Sequence, residues 1–351
     1  MNVISRELRL YKRSGVWLIG LITPFILVIC LGVAITGTVN NVPVGLVSSN
    51  DTIAAQINQI YKGDSSINLQ KISPSNLNND IISGKLRAVI EVNSVKGNNV
   101  SITIFVDSTD TAIKQQVQYT LSSILYQDLG KDGYLLTLRI LELYSGKSFF
   151  AYLIPSILVI GPVLGGLFGA TDTILNEKED KTLENVIIVG FSPIKFTIQK
   201  ILSFFLTTSI TLVLTFTLAV MLADSLPSIP QIILSFILVF LTAFIFVSFG
   251  FSLSTYLPNK EIAGTIGGTI MFPILFISGA FLSVYAMESF IIPLAKINPL
   301  TICIEALRTI LLKNGSFNDI IQNISLLALM SFLIFLFAVY RMNKIINAMQ
   351  N

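Results

Sequence analysis

Six stretches of the chain carry no charged side chain and are long enough to cross a lipid bilayer. About 20 helical residues span the hydrocarbon core, where ionised side chains are costly. Only 12% of all residues are charged, against about 25% in soluble domains. The pattern predicts a polytopic α-helical membrane protein with six transmembrane helices. The uncharged runs are 14–50, 148–171, 201–223, 225–259, 262–287 and 320–340.

The N-terminal segment 1–13 differs from these runs because it combines apolar with basic residues. Ile4, Leu8 and Tyr11 recur at helical spacing beside four basic side chains, a pattern typical of an amphipathic helix in the membrane interface. We therefore expect an interfacial helix at 1–13 and the first transmembrane helix within 14–39.

Residues 40–146 are polar, rich in Asn and Ser, and contain only short apolar segments. We expect a small mixed α/β domain with at most four strands, followed by transmembrane helices two to six within 147–345. Strands are predicted at 42–47, 86–92 and 100–106, and helical patterns cover 51–62, 75–83 and 111–144.

Basic residues indicate the side of the membrane that each part occupies. In a six-span arrangement the basic N-terminal segment, the 176–200 loop, Lys260 and the C-terminal Arg341 and Lys344 fall on one side. An excess of Lys and Arg marks the cytoplasmic side. We expect a multi-pass plasma-membrane protein with both termini in the cytoplasm and the α/β domain outside.

The residue types present argue against enzymatic chemistry. Histidine is absent, and the two cysteines, Cys30 and Cys303, lie in apolar surroundings. This removes histidine-based acid–base catalysis and the histidine ligands of most catalytic zinc sites, and it predicts no metal site. The net charge of +3 by itself argues neither for nor against a nucleic-acid partner, whose usual footprint is a dense basic face. We expect neither enzymatic activity nor nucleic-acid binding.

A charged stretch at 172–200 interrupts the apolar runs. Leu183, Val186 and Ile187 recur at i, i+3 and i+4, which predicts a short amphipathic helix within 176–190.

The end of this helix and the start of the next are marked in the sequence. Gly190 offers a stop, and Ser192 followed by Pro193 is a typical N-cap and first-turn pair. Charge patterning by itself favours an ordinary solvated loop. The alternative is a short helix that transmits a mechanical push.

Residues 282–319 are too polar for a further span and too apolar for a free loop. The pattern predicts a helix at 299–313, on which Glu305 and Arg308 stand close enough to form an external ion pair. We expect external, re-entrant-like helices at 283–313 that dip into the outer leaflet.

Several motifs together resemble the ABC-2 family of ABC-transporter permeases, in the branch with a large domain between the first two spans. The resemblance covers nearly the whole chain through VPVGLVSSNDT, IISGKLRAVIEV, ITIFVDSTDT, EKEDKTLENVIIVGFSPIKF and INPLTICIEALRTILLKNGS. Lys181 stands where the family usually has Gly, which predicts a less sharply bent entry to the loop helix. The family's diagnostic residues are matched at Glu177, Glu179, Thr182, Leu183, Glu184, Pro193, Asn298, Pro299, Glu305, Ala306 and Arg308.

The resemblance implies that the loop helix is a coupling helix, which docks in a groove of a separate cytoplasmic ABC ATPase subunit. In this motif context coupling is favoured over a plain loop. The residues implied in the contact are Glu177, Glu179, Thr182, Leu183, Glu184, Val186, Ile187 and Pro193.

No cofactor is expected on this chain, and ATP and Mg are expected on the partner ATPase subunit. A phosphate-binding loop needs G-x-x-x-x-G-K-S/T. The near match at Gly146, Lys147 and Ser148 has Leu141 where the first glycine belongs.

Glycines spaced four residues apart let helices approach closely. Packing within one subunit and contact in a permease dimer explain them equally well. The resemblance implies a second permease subunit, identical or different, with the second and fifth helices flanking the path. The glycines are Gly161, Gly165, Gly169, Gly264 and Gly268.

The uncharged spans favour an exporter of lipid, drug or other amphipathic cargo, because proton and ion pathways usually need charged groups inside the membrane. Two other classes stay open. One is a membrane receptor or immunity-type scaffold that binds a partner through its external domain. The other is an intramembrane enzyme, which would need a nucleophile and a base facing each other.

Overall fold

A computed structural model shows a mixed α/β domain followed by a helical bundle. The predicted interfacial helix (1–13) and first transmembrane helix (14–39) lie outside the residues that the structure describes, as does most of the predicted coupling helix (176–190). The described residues are 41–48, 50–62, 66–96, 99–109, 111–131, 135–144, 149–180, 192–221, 227–258, 260–281, 283–287 and 291–350.

Five strands form the sheet of the α/β domain. They are β1 (Val42–Ser48), β2 (Ile67–Lys71), β3 (Ala88–Lys96), β4 (Asn99–Asp107) and β5 (Leu135–Leu143). Their order across the sheet is β2-β1-β3-β4-β5. β1 runs parallel to β2 and β3, β4 runs parallel to β5, and β3 and β4 are antiparallel.

The sheet has five strands where at most four were predicted, and two of them, β2 and β5, lie outside the stretches predicted as strands. The predicted continuous helix at 111–144 is wrong, since the helix ends at Lys131 and β5 follows it. The apolar residues of β5 suit a helix or a strand, and parallel pairing with β4 decides between them. β2 was not predicted because INLQK is short and polar, and it becomes a strand by pairing with β1.

Helices cover both faces of the sheet. α3 packs on one face through Val117, Leu121, Leu125 and Leu129, which are all buried and recur every four residues. The other face is covered by a smaller apolar cluster that includes Ile81 of α2. The domain's helices are α1 (Asp51–Tyr61), α2 (Leu77–Ile82) and α3 (Thr111–Lys131).

The bundle contains α4 (Phe149–Glu179), α5 (Pro193–Met221), α6 (Ile229–Ser254), α7 (Lys260–Ile277), α8 (Ile292–Ile297), α9 (Pro299–Lys313) and α10 (Phe317–Gln350). Within the described ranges, α4, α5, α6 and α10 are long and apolar enough to cross a membrane, and α7 is a shorter apolar helix. The chain is therefore a polytopic helical membrane protein with a small mixed sheet. The count of six spans stays a prediction.

The helices of the bundle differ in how far the chain itself covers them. Nearly all of α4 is buried, and it packs against α5, α6, α7 and α9. α9 has the bounds predicted for it and is buried on almost all sides. Most of α10 faces outward with large apolar side chains such as Leu329, Phe332 and Leu336, as expected for a surface in lipid.

Candidate functional site

The last turn of α4 is joined to the start of α5 and the end of α6 by charged side chains. The carboxylate of Glu177 forms an ion pair with Lys200 of α5, and both side chains are buried. The ammonium group of Lys178 donates a hydrogen bond of 2.6 Å to the carbonyl oxygen of Ser254, the last residue of α6.

The next residue, Glu179, reaches a third helix. Its carboxylate lies 3.2 Å from Nζ of Lys260, the first residue of α7, and both side chains are a little over 40% exposed. Three consecutive residues of α4 thus attach it to α5, α6 and α7. We name Glu177, Lys178, Glu179 and their three partners the α4 junction.

The α4 junction stands where the chain leaves α4 for the predicted coupling segment. Glu177 and Glu179, two of the predicted coupling residues, contact the chain's own helices. Pro193 is the first residue of α5, as the Ser-Pro pair predicts. The remaining residues predicted for coupling lie outside the described part of the chain; they are Thr182, Leu183, Glu184, Val186 and Ile187.

Glycine allows close packing around α4 at one of the five predicted positions. A Cβ atom on Gly169 would lie 2.4 Å from the ring of Phe204 in α5, and one on Gly250 of α6 would lie 2.5 Å from the carbonyl oxygen of Leu167. Gly169 therefore packs helices within one chain, and Gly250 does so without having been predicted. Gly161 is buried in α4. A Cβ atom would meet no described atom within 4 Å at Gly165, Gly264 or Gly268, where a dimer contact stays a prediction.

A second set of charges joins the α/β domain to α9. Nζ of Lys313, the last residue of α9, lies 2.6 Å from the carboxylate of Asp107 at the end of β4. The guanidinium group of Arg87 lies 3.3 Å from Asp107 and also 3.3 Å from the carboxylate of Glu305 on α9. We name these four residues the α9 junction. Lys313 also donates a hydrogen bond of 2.8 Å to the carbonyl oxygen of Ile81 in α2.

The α9 junction is buried except at Glu305, which is 37% exposed. Burial opposes the ionisation of Asp107, but the attraction of Lys313 and Arg87 outweighs it, so the pKa of Asp107 lies below its usual value. The hydroxyl group of Thr109 donates a hydrogen bond of 2.6 Å to this carboxylate and acts in the same direction. Burial also lowers the pKa of Lys313, because its ammonium group has lost water.

The predicted ion pair between Glu305 and Arg308 is wrong. Glu305 pairs with Arg87 of the domain. Arg308 instead donates a hydrogen bond of 2.9 Å to the carbonyl oxygen of Gly279 and lies 4.0 Å from the ring centre of Tyr152. Arg308 is buried between α4 and the end of α7, where the carbonyl group and the aromatic face stabilise its charge.

Arg308 belongs to a group of three polar side chains that cap the end of α7. The last carbonyl groups of a helix lack partners within it, and Gly279, with φ at +76°, turns the chain away from the helix. The Asn298 side chain donates to the carbonyl oxygen of Ile274 at 2.7 Å. The hydroxyl group of Ser156 in α4 donates to the carbonyl that follows Gly279, at 2.9 Å. We name Asn298, Arg308 and Ser156 the α7 cap.

Sequence reasoning missed Arg87, Asp107, Lys200 and Lys313. The available signal is that Arg87 and Asp107 stand at strand ends next to apolar residues, where a charged side chain must be paired if it is buried. That signal does not identify the partner. Glu305, a partner of Arg87, lies 218 positions away in the chain. Within the described ranges, no group of three or more His, Cys, Asp or Glu side chains could hold a metal ion. The α4 junction is suited to holding helices together, and the α9 junction is suited to holding the α/β domain to α9.

Comparison with known proteins agrees with the helical membrane architecture. A family model described as ABC-2 family transporter protein matches residues 14–340, which is nearly the whole chain. No match among curated proteins is found. The extent of the family match confirms the resemblance seen in the sequence motifs: the chain belongs to the ABC-2 family of transporter proteins.

Proposed function

We propose that this chain is the membrane-spanning permease subunit of an ABC exporter, driven by a separate cytoplasmic ATPase subunit that pushes on segment 176–190. Membership of the ABC-2 family makes the chain a multi-pass permease subunit and implies an ABC ATPase as its partner. The use of 176–190 for coupling, the direction of transport and the cargo are the proposed parts.

The observation that carries the proposal is the α4 junction. A segment can transmit a push only if the helices that flank it are held firmly to their neighbours. Glu177, Lys178 and Glu179 attach the helix before the segment to α5, α6 and α7. Displacement of the segment would therefore reach four helices at once.

The length of α4 supports a placement of the α4 junction and the α7 cap on opposite sides of the membrane. Ser156 contributes to the α7 cap, and Glu177 belongs to the α4 junction. Ser156 and Glu177 are about 21 residues apart on α4, which corresponds to roughly 32 Å of helix, close to the hydrocarbon thickness of about 30 Å. With the α4 junction in the cytoplasm, the α/β domain and the α7 cap lie outside.

We propose an apolar or amphipathic cargo, such as a lipid or drug, moved between two permease subunits that are identical or different. The charged residues of α4 are confined to its segment from Asp172 to Glu179, and α6 has none. A path lined by these helices suits a cargo that does not need ion pairs inside the membrane.

The test is purification of the tagged full-length chain in mild detergent, with mass spectrometry and an ATPase assay. We expect an ABC ATPase to co-purify with the wild type. The double substitution Leu183→Asp with Glu184→Lys should reduce its recovery about tenfold or more, because it places charge in the contact and reverses a charge already there.

The matched control is Lys296→Glu, which reverses an exposed charge in α8 near the α7 cap and should leave recovery of the ATPase unchanged. A chain that purifies without an ATPase under several mild detergents would contradict the proposal and favour the receptor or scaffold. Equal recovery from the double variant and the control would contradict coupling through 176–190.

A further inference from the structure

We propose that Asp107 and Lys313 are positioning residues for the α7 cap. They act through α9, so that the α/β domain and the outer end of the transmembrane path move as one body. The geometry alone carries the rigid connection. That this end of the path faces outward, and the consequence for transport, rest on the proposed function.

The first link joins the domain to the last turn of α9. Nζ of Lys313 contacts two separate elements of the domain, the Asp107 carboxylate at the end of β4 and the carbonyl oxygen of Ile81 in α2. Lys313 and Asp107 are almost completely buried. Water therefore cannot easily replace either contact if the domain shifts against α9.

The second link joins the first turn of α9 to the end of α7. Asn298 is the N-cap of α9, and its side-chain oxygen accepts a hydrogen bond of 3.0 Å from the backbone amide of Leu300. The nitrogen of the same side chain donates to the carbonyl oxygen of Ile274 in α7. One amide group thus holds two helix ends together, and Arg308 adds a contact to Gly279 from the middle of α9.

α9 itself is the stiff connection between the two links. Its 15 residues correspond to about 22 Å of helix, and it is buried on almost all sides. Polar contacts at both ends of a buried helix leave it little freedom to move independently of either neighbour. Weakening the contacts at one end of α9 should therefore increase the mobility of the elements at its other end. Coupling between two sites acts in both directions.

The experiment is hydrogen–deuterium exchange with mass spectrometry on the full-length chain in lipid nanodiscs. Asp107→Asn is expected to speed amide exchange about tenfold in peptides covering 274–281, although the substitution lies in the sheet. Reciprocally, Asn298→Ala, which removes the side-chain contact to α7, should speed exchange in peptides covering 81–89 and 103–107.

Three further variants distinguish a specific effect on the α7 cap from a general destabilisation of the domain. Glu142→Gln breaks the partly exposed Lys114–Glu142 ion pair in the same domain and should leave 274–281 unchanged. Lys313→Met should reproduce the effect of Asp107→Asn, and Lys313→Arg, which keeps the charge, should stay close to the wild type. If Asp107→Asn fails to fold, Lys313→Met and Asn298→Ala provide the same comparison.

Faster exchange confined to the domain's own peptides in Asp107→Asn and Lys313→Met would overturn the proposal. So would equal effects of Glu142→Gln and Asp107→Asn at 274–281. Neither result depends on an ATPase partner. Failure of the proposed function would appear as loss of the ATPase on purification, with the exchange pattern unaffected.

Discussion

The α4 junction and the α9 junction both bury charged side chains, but they connect the molecule in different ways. Glu177 and Lys200 of the α4 junction lie on α4 and α5, on either side of the segment that joins these two helices. Arg87 and Glu305 of the α9 junction are 218 positions apart.

The two junctions also differ in how their contacts are arranged. The α4 junction consists of three separate contacts from consecutive residues to three helices. The α9 junction is one network in which Asp107 is shared by two cations. Under the proposed function, the separate contacts would pass a displacement of segment 176–190 to three helices, whereas the shared network holds the domain and α9 in a fixed orientation.

The largest effect is expected in the α9 junction. Asp107→Asn leaves Arg87 and Lys313 buried without their shared carboxylate, and we expect the free energy of unfolding to fall by about 3–5 kcal/mol. Thermal unfolding in detergent measures the loss. A loss no larger than that of Glu142→Gln, which breaks a partly exposed ion pair, would show that the α9 junction is not a stabilising network.

A somewhat smaller loss, about 3 kcal/mol, is expected from Glu177→Gln in the α4 junction, because this change leaves one buried cation, Lys200, in place of two. Glu179→Gln is the matched control. Its pair with Lys260 is partly exposed and should contribute less than about 1 kcal/mol. Similar unfolding temperatures for the two variants would mean that burial does not distinguish these contacts.

The smallest of the three effects concerns helix packing beside the α4 junction. Gly169→Ala would force a Cβ atom against the ring of Phe204, and we expect a loss of about 1–3 kcal/mol from overpacking. Gly165→Ala on the same helix meets no described atom within 4 Å and should be nearly neutral in thermal unfolding. If Gly165→Ala lowers the stability more than Gly169→Ala, Gly165 lies in a contact with another chain or with residues outside the described ranges.

Helix positions could be predicted where the signal is local. α9 has the predicted bounds because Asn298 followed by Pro299 is a strong helix start, and α5 begins at Pro193 for the same reason. The helix predicted at 111–144 failed in its second half, since pairing with β4 overrides local preference in β5. The Glu305–Arg308 pair failed because spacing along one helix does not reveal which neighbours each side chain meets.

The sequence by itself determined the membrane setting, the family and most helix positions. Uncharged runs, cap residues and motifs are properties of neighbouring residues, and they need no knowledge of distant contacts. Only the tertiary structure decided the partners of Arg87, Asp107, Arg308 and Lys313. A buried charge pairs with whatever long-range packing brings within about 4 Å, and that choice is made between segments that the chain order keeps far apart.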